Sequence, residues 1–432
     1  MHRPSRRELL RLGIGSLALG SLAGAKSPNN RLRFAAIGVG GKGWSNIEAA
    51  AQFGDIVALC DIDQGQLQRC EERYRTGRTY SDFRKMLDDR HRSIDAVLVS
   101  TPDHTHAVAA AYAIRYGKAV YCEKPLTRTI WEARRLGELA KQMGVATQMG
   151  NQGTAGDGLR RAAAQIRAGM FGAVKEVHCW TDRPGGWWPQ GIARPPMKEK
   201  PAHVDWDLWI GPSPFRDYAD GYHAFAWRGW WDFGTGAMGD IACHCMNLPF
   251  AALDLRDPLS VQAQTSGHNR DSFPAWSIIE YQFGARGKRG PVKLVWYDGG
   301  KKPSLDLAPG LDQLPGNGCL IVCENATVWA PGEYANNVQV LGGEVEPGPV
   351  EFNASPGHMA EWVEAILGGR PAMSNFPNYA GPMTEMALVG NLAVWADGPK
   401  LEWDSRGMRV KGSREYDGLI RPRNRKGWEN IL

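Results

Sequence analysis

Six residues, Gly38-Val39-Gly40-Gly41-Lys42-Gly43, restrict the fold of this chain more than any other stretch. They follow an apolar run at 32–37 and precede a helical pattern, so the order is strand, G-x-G-x-x-G, helix. Glycines there permit a tight turn, close approach of backbone to a pyrophosphate and close packing of helix on strand, while the helix N-terminus faces the phosphates. Asp61 ends the next strand, Ala58-Leu59-Cys60-Asp61, about twenty residues on, where a carboxylate accepts from adenosine ribose hydroxyls and repels a 2′-phosphate. Gly38, Gly40, Gly43 and Asp61 thus predict a site for NAD in preference to NADP. Asp63 is a weaker candidate for the acidic role, and a glycine turn in an unliganded α/β fold is the competing reading.

Apolar runs at 32–37, 56–59, 96–100, 119–122 and 146–149 alternate with helical stretches. Continuous apolar strands between helices imply a parallel sheet covered on both faces. The expected fold class is α/β: a doubly wound Rossmann domain over 31–150, then an α+β domain over 151–432. In the latter, strands at 174–181, 277–283, 292–296 and 318–323 point to a large, mostly antiparallel sheet. Helices are expected at 159–168, 358–367 and 383–395, and no internal repeat is present.

The first 25 residues read as a twin-arginine signal: Ser5-Arg6-Arg7-Glu8-Leu9-Leu10, an apolar stretch at 12–22 too short to span a bilayer, then Ala23-Gly24-Ala25 for cleavage. Localisation is therefore expected to be periplasmic or otherwise exported, with membrane contact only during export. A basic tail or an uncleaved anchor is the alternative. Arg3, Arg6, Arg7 and Arg11 against Glu8 put +3 of the formal +5 charge in this segment. The remainder, about +2, offers no footprint for nucleic acid. Of eight cysteines most sit in apolar runs, and only Cys319 with Cys323 looks suited to a disulfide.

Ser100-Thr101-Pro102-Asp103-His104-Thr105-His106 falls at the carboxyl edge of the parallel sheet, where such folds bind ligands. His104 and His106 either touch the nicotinamide ribose or cap the following helix. Glu123-Lys124-Pro125 closes the 119–122 strand, and Asp240 with His244 stand at i and i+4 of a helical stretch, on one face. Together with the glycine loop and the Thr-Pro turn, these resemble the glucose-fructose oxidoreductase, inositol dehydrogenase and rhizopine catabolism family, Gfo/Idh/MocA. The resemblance spans nearly the whole mature chain.

That resemblance implies Thr101, Pro102, His106, Glu123 and Lys124 beside the cofactor, with Lys124 also hydrogen bonding the reacting hydroxyl. A nearby cationic nicotinamide would lower the pKa of Lys124. His244 is implied as general acid/base and Asp240 as its partner or a substrate clamp. Many relatives carry an aspartate where this chain has Asn247, which removes any role of that acid. A Lys124 salt bridge, a capping Asp240 and a packed His244 are the structural alternatives.

Eight of 17 tryptophans lie between 180 and 231: Trp180, Trp187, Trp188, Trp206, Trp209, Trp227, Trp230 and Trp231. Aromatic faces stack on sugar rings, so Trp187 and Trp231, with the embedded Arg183, Arg228 and Asp232, are the candidate substrate contacts. His178, Cys179, Asp182, Cys243, His244 and Cys245 are zinc-type ligands without an organising spacing, so no metal is assigned.

The expected activity is NAD-dependent oxidation of a ring carbinol in a carbohydrate, with a tightly held cofactor. Redox-neutral glycoside hydrolysis, through oxidation, elimination, hydration and reduction, is the close alternative, and a silent sugar-binding protein the third. The resemblance also implies a homo-oligomer, a dimer or tetramer.

Overall fold

Strands that are apolar from end to end need cover on both faces, and the first domain supplies it. The computed structural model describes residues 31–432, so the twin-arginine stretch and cleavage site lie outside the described residues. Chain order runs β1 (Leu32–Ile37), α1 (Lys42–Ala51), β2 (Gly54–Cys60), α2 (Gln64–Tyr74), β3 (Thr79–Tyr80), α3 (Phe83–Arg90), β4 (Ala96–Val99), α4 (Asp103–Arg115), β5 (Ala119–Cys122), α5 (Ile130–Met143) and β6 (Thr147–Met149). The six strands are parallel in the order β3-β2-β1-β4-β5-β6. Every residue of β4 and β5 is buried, as helices on both sides require. Strand order reverses between β1 and β4, and this switch point opens a crevice at the carboxyl ends. β3, two residues long and half exposed, carries too little apolar pattern to be foreseen.

The second domain runs α6 (Asp157–Arg167), β7 (Val174–Trp180), α7 (Trp206–Ile210), α8 (Gly236–Cys245), α9 (Asn247–Leu253), β8 (Ser260–Thr265), β9 (Ser277–Phe283), β10 (Val292–Tyr297), β11 (Gly318–Cys323), β12 (Thr327–Pro331), β13 (Gln339–Leu341), α10 (His358–Ile366), α11 (Gly381–Ala396), β14 (Leu401–Asp404), β15 (Arg409–Val410) and α12 (Asp417–Ile420). Its nine strands order β13-β12-β11-β7-β10-β9-β8-β14-β15. Only β7 with β10 is parallel; the other neighbours are antiparallel.

Helix α11 is apolar all round because it is buried almost throughout, against α5, α8, β8 and β9. A Cβ on Gly390 would lie 2.0 Å from the Tyr281 hydroxyl, so the approach of α11 to β9 admits only glycine there. This packing fixes α8, which carries Asp240 and His244, against the sheet. Two late stretches return to the first domain. Trp362 of α10 is fully buried with its ring 5.8 Å from Phe34 and 5.7 Å from Tyr121, and Trp428 packs on Phe83.

The cysteines are buried free thiols. Cys319 and Cys323 share β11, and four steps of roughly 3.3 Å along a strand separate them far beyond disulfide reach. The expectation of a bond between them is thereby corrected.

Candidate active site at the switch point

The glycine turn is dictated by what surrounds it. Gly38 has φ +80°, and a Cβ there would sit 2.6 Å from the Ser100 carbonyl oxygen at the end of β4. A Cβ on Gly43 would sit 2.1 Å from the Gly38 carbonyl oxygen, so this glycine lets α1 start against its own turn. Gly40 is less constrained, its Cβ direction meeting the Gln66 side chain at 3.1 Å. Gly41 precedes α1 at φ +50° with open space before it, and no side chain caps the helix. The Gly43 N–H turns back to the Gly40 carbonyl at 2.9 Å, and the start of α1 keeps the positive dipole end that suits a pyrophosphate.

Asp61 accepts from the Val39 N–H at 2.8 Å and from the Asp63 N–H at 2.9 Å, which pins the acid beside the turn. Burial raises its pKa and these N–H donors oppose the rise. Asp63 is instead the cap of α2, accepting from Gly65 and Gln66. An anion cradle with a carboxylate held beside it fits a dinucleotide, on this chain's own geometry.

A cavity of about 620 Å³ continues from this turn into the second domain. Along its walls lie Gly38, Gly40, Asp61, Thr101, Pro102, Glu123 and Lys124, then Arg183, Trp187, Arg228, Asp240 and His244. The structure therefore brings most of the expected residues into one space, of a size suited to small-molecule ligands. A larger hollow of about 850 Å³ lies between Trp131 and the basic residues Arg409, Lys411, Arg414 and Arg421. It contains neither the glycine turn nor the acid–base groups, so the chemistry belongs to the smaller cavity.

At its centre the Lys124 ammonium donates to Asp240 Oδ1 at 2.7 Å and to the Asp240 carbonyl at 3.0 Å, and Arg228 Nε donates to the same Oδ1 at 3.1 Å. Burial pushes the Asp240 carboxyl up, but Lys124 and Arg228 together hold it well below the usual carboxylate range. Burial pulls Lys124 down, yet Asp240 outweighs it and the pKa is raised. Its nearest charge is thus an anion, and the lowering expected beside a cationic nicotinamide concerns the dinucleotide-bound protein. His244 is driven down to about 3, first by burial and then by Lys124, so it is neutral at ordinary pH. Its buried Nδ1 has no hydrogen-bond partner, and its ring stands edge-on to Tyr334 at 4.9 Å.

Four residues expected at the site lie elsewhere. His106 is buried with Nε2 2.7 Å from the Thr101 carbonyl and Nδ1 2.8 Å from the Pro125 carbonyl, so it ties the two strand-end turns together behind the cavity wall. His104 is held the same way, between the carbonyls of Trp209 and Phe233. Trp231 stacks on Phe273 at 3.6 Å and donates Nε1 to Ser272, a packing role. Asp232 is bound to Arg216 in an ion pair outside the cavity. Half of the clustered tryptophans build a small core, in which Trp206, Trp209, Trp227 and Trp230 pack with Tyr218, Tyr222 and Phe233, and Trp209 and Trp227 also reach the cavity wall. Trp187 differs, being 55% exposed with the Arg183 guanidinium 3.7 Å over its ring. Arg183 also pairs with Glu333 at 3.0 Å.

Sequence reasoning missed Asp103, Gln152, His223, Glu333 and Tyr334, all in the wall. Glu333 and Tyr334 follow β12 in a loop with no recognisable spacing. Asn46 of α1 was also missed: it donates to Ser100 at 2.9 Å and to Glu123 at 2.9 Å, joining helix to both strand ends. Of the zinc-type residues, His178 hydrogen bonds Tyr297 at 3.0 Å on the β7–β10 surface. Among the described residues no three His, Cys, Asp or Glu side chains gather as metal ligands.

A glycine turn opening into a cavity that also holds Lys124, Asp240 and His244 marks the chain as a dinucleotide-binding α/β protein. Residues 32–151 match the profile described as the oxidoreductase family's NAD-binding Rossmann fold, and residues 175–289 match that family's C-terminal alpha/beta domain. The two matches together cover more than half of the chain, and it belongs to the Gfo/Idh/MocA oxidoreductase family.

The rhizopine catabolism protein MocA of Rhizobium meliloti is 30% identical over 159 residues, 36% of this chain and 49% of that protein. A glycosyl hydrolase family 109 protein of Solibacter usitatus is 31% identical over 199 residues, 40% of this chain and 45% of that protein. The chain thus spans under half the length of either curated relative. In fold it is similar to the WlbA dehydrogenase of Bordetella pertussis, solved with NADH and UDP-GlcNAcA. The TM-score is 0.61 at 18% identity, covering 87% of this chain and 99% of that one.

Proposed function

We propose that this chain oxidises a ring carbinol of a sugar or sugar derivative, using a tightly held NAD. The observation that carries the proposal is the Lys124–Asp240 ion pair with neutral His244 in the same cavity as the glycine turn. The dinucleotide supplies the two-electron acceptor. Gly38 to Lys42 and Asp61 hold its diphosphate and adenosine ends, while Thr101, Pro102, Glu123 and Lys124 line the strand ends where the other half reaches.

Asp240 and Arg228 orient the Lys124 ammonium, which donates to the reacting oxygen and favours its anionic form. His244, uncharged and lining the cavity, takes the hydroxyl proton. Arg183, Arg228 and exposed Trp187 supply donors and a flat face for the remaining hydroxyls and ring. The similarity to MocA supports this reading.

A redox-neutral glycosidase is the second reading, supported by the family 109 relative. It uses the same residues, with a transient oxidation that acidifies a neighbouring C–H. Export through the twin-arginine route, periplasmic residence and a homo-oligomer complete the proposal. The Arg6-Arg7 sequence and the large nine-stranded sheet support these points.

The test is to denature the purified protein, identify any released dinucleotide by mass spectrometry, and assay a panel of polyols, free sugars and aryl glycosides. Bound NAD with an oxidised product is expected. Aglycone release without net NADH would select the glycosidase, and sugar binding without turnover would overturn both readings.

A further inference from the structure

One ionisable group in the cavity is left idle by the chemistry above. Asp103 opens α4 just beyond β4, is only 3% exposed, and lines the cavity with Lys124 and Asp240. Thr235 Oγ donates to its Oδ2 at 2.6 Å. Its Oδ1 accepts no hydrogen bond from any described residue and is absent from the fully enclosed unpartnered atoms, so it opens on the cavity. A side chain this buried, with one bare oxygen facing a ligand space, lacks a partner that the protein does not provide.

The charges around it come from several elements. Arg228 approaches from the 226–229 turn, Lys124 from the turn after β5, and Asp240 from α8; Glu123 lies beyond Lys124, bound to Asn46. His104 and His106 on its own helix are tied to carbonyls, and burial lowers the pKa of each. The Cys122 and Cys243 thiols are pushed up by burial and stay protonated. Burial drives the Asp103 carboxyl up to about 7, with Arg228, Thr235 and Lys124 opposing and Asp240 assisting. The group is therefore divided between its two forms at neutral pH, where a single added charge changes its state.

Such a charge is what the two forms of a nicotinamide ring differ by, and the switch-point topology brings that ring to the ends of β4 and β5. We propose that Asp103 is the proton-exchange group of this cavity, losing its proton when the oxidised, cationic dinucleotide binds and keeping it beside the neutral, reduced form. The proposal rests on the dinucleotide reading. It gives the reaction a balanced proton count. As the carbinol becomes a carbonyl, its carbon-bound hydrogen leaves with both electrons of the broken C–H bond to reduce the dinucleotide, and the O–H proton, first taken by His244, ends on Asp103. A redox-neutral cycle then recovers the same proton without solvent.

Calorimetric titration of NAD and of NADH into the full chain freed of bound dinucleotide, in buffers of different ionisation enthalpy, counts the protons released. Near neutral pH, NAD should release roughly half a proton more than NADH. The difference should fade by about two pH units to either side of its maximum. Asp103→Asn should keep NAD binding and abolish the difference. Thr235→Ala, which removes a donor that favours the carboxylate, should move the maximum to higher pH, and it tests the idea even if the Asn variant does not fold. Equal proton release for the two forms, or an undiminished difference in Asp103→Asn, would overturn the inference while leaving the cofactor reading intact. Failure of both dinucleotides to bind would overturn the cofactor reading, and this inference with it.

Discussion

The dinucleotide end of the cavity and its substrate end are built on different principles. At the first, a contiguous turn and one acid hold each other through backbone: Gly38 against Ser100, Gly43 against Gly38, Asp61 on the Val39 N–H. At the second, side chains from at least five separated stretches converge: Lys124, Arg183, Arg228, Asp240 with His244, and Glu333 with Tyr334. The first end is specified by sterics and tolerates almost no added atom. The second is specified by buried charge, where each member's state depends on the others. Substitutions at the two ends should therefore fail differently.

Gly43→Ala should be the most damaging, because its methyl would stand 2.1 Å from a backbone carbonyl. Dinucleotide binding, followed by NADH fluorescence, should be lost, with destabilisation on the order of 3 kcal/mol in denaturant melts. At the other end, Lys124→Met should lower kcat about 10²–10⁴-fold while NADH affinity changes little. Loss of NADH affinity with it would show that the two ends are not separable.

A pH titration of stability sharpens the contrast. His244 and His104 have folded-state values near 3 against 6.5 in the unfolded chain. Protonation therefore favours unfolding: their stability is intact above about pH 6.5 and is lost as pH falls toward the folded value. Each should cost about 2 kcal/mol by about pH 5. Asp103 has the opposite sign, its raised value giving stability at low pH that is lost as pH rises through about 7. His244→Asn should flatten the acid limb in urea melts, whereas Asp61→Asn at the dinucleotide end should leave that limb in place and weaken discrimination of NADH over NADPH roughly tenfold. The smallest expected effect is at Trp187: replacement by Ala should raise KM a few-fold without a change in Tm. Trp231→Ala should do the reverse.

How much of this was readable in the chain follows the same division. The glycine turn and Asp61 were legible because their geometry is local, and Asp240 with His244 because i and i+4 share a helix face. Glu333 and Tyr334 were not, since their place depends on where β12 ends in a nine-stranded sheet. Trp231 and Asp232 misled because clustered tryptophans in sequence do not distinguish a cavity wall from a core, and half of the eight pack with Tyr222 and Phe233. His106 stood in the right segment, but both ring nitrogens are already engaged by carbonyls. Direction of charge was also hidden: Lys124 reads differently once Asp240 is 2.7 Å away.

The most direct test is a crystal structure of the chain with NADH. The diphosphate is expected over Gly40, Gly41 and Lys42, the adenosine ribose on Asp61, and the nicotinamide ring beside Lys124 within reach of Asp103 and His244. A nicotinamide directed away from Lys124, or a dinucleotide in the basic hollow around Arg409 and Lys411, would contradict this placement.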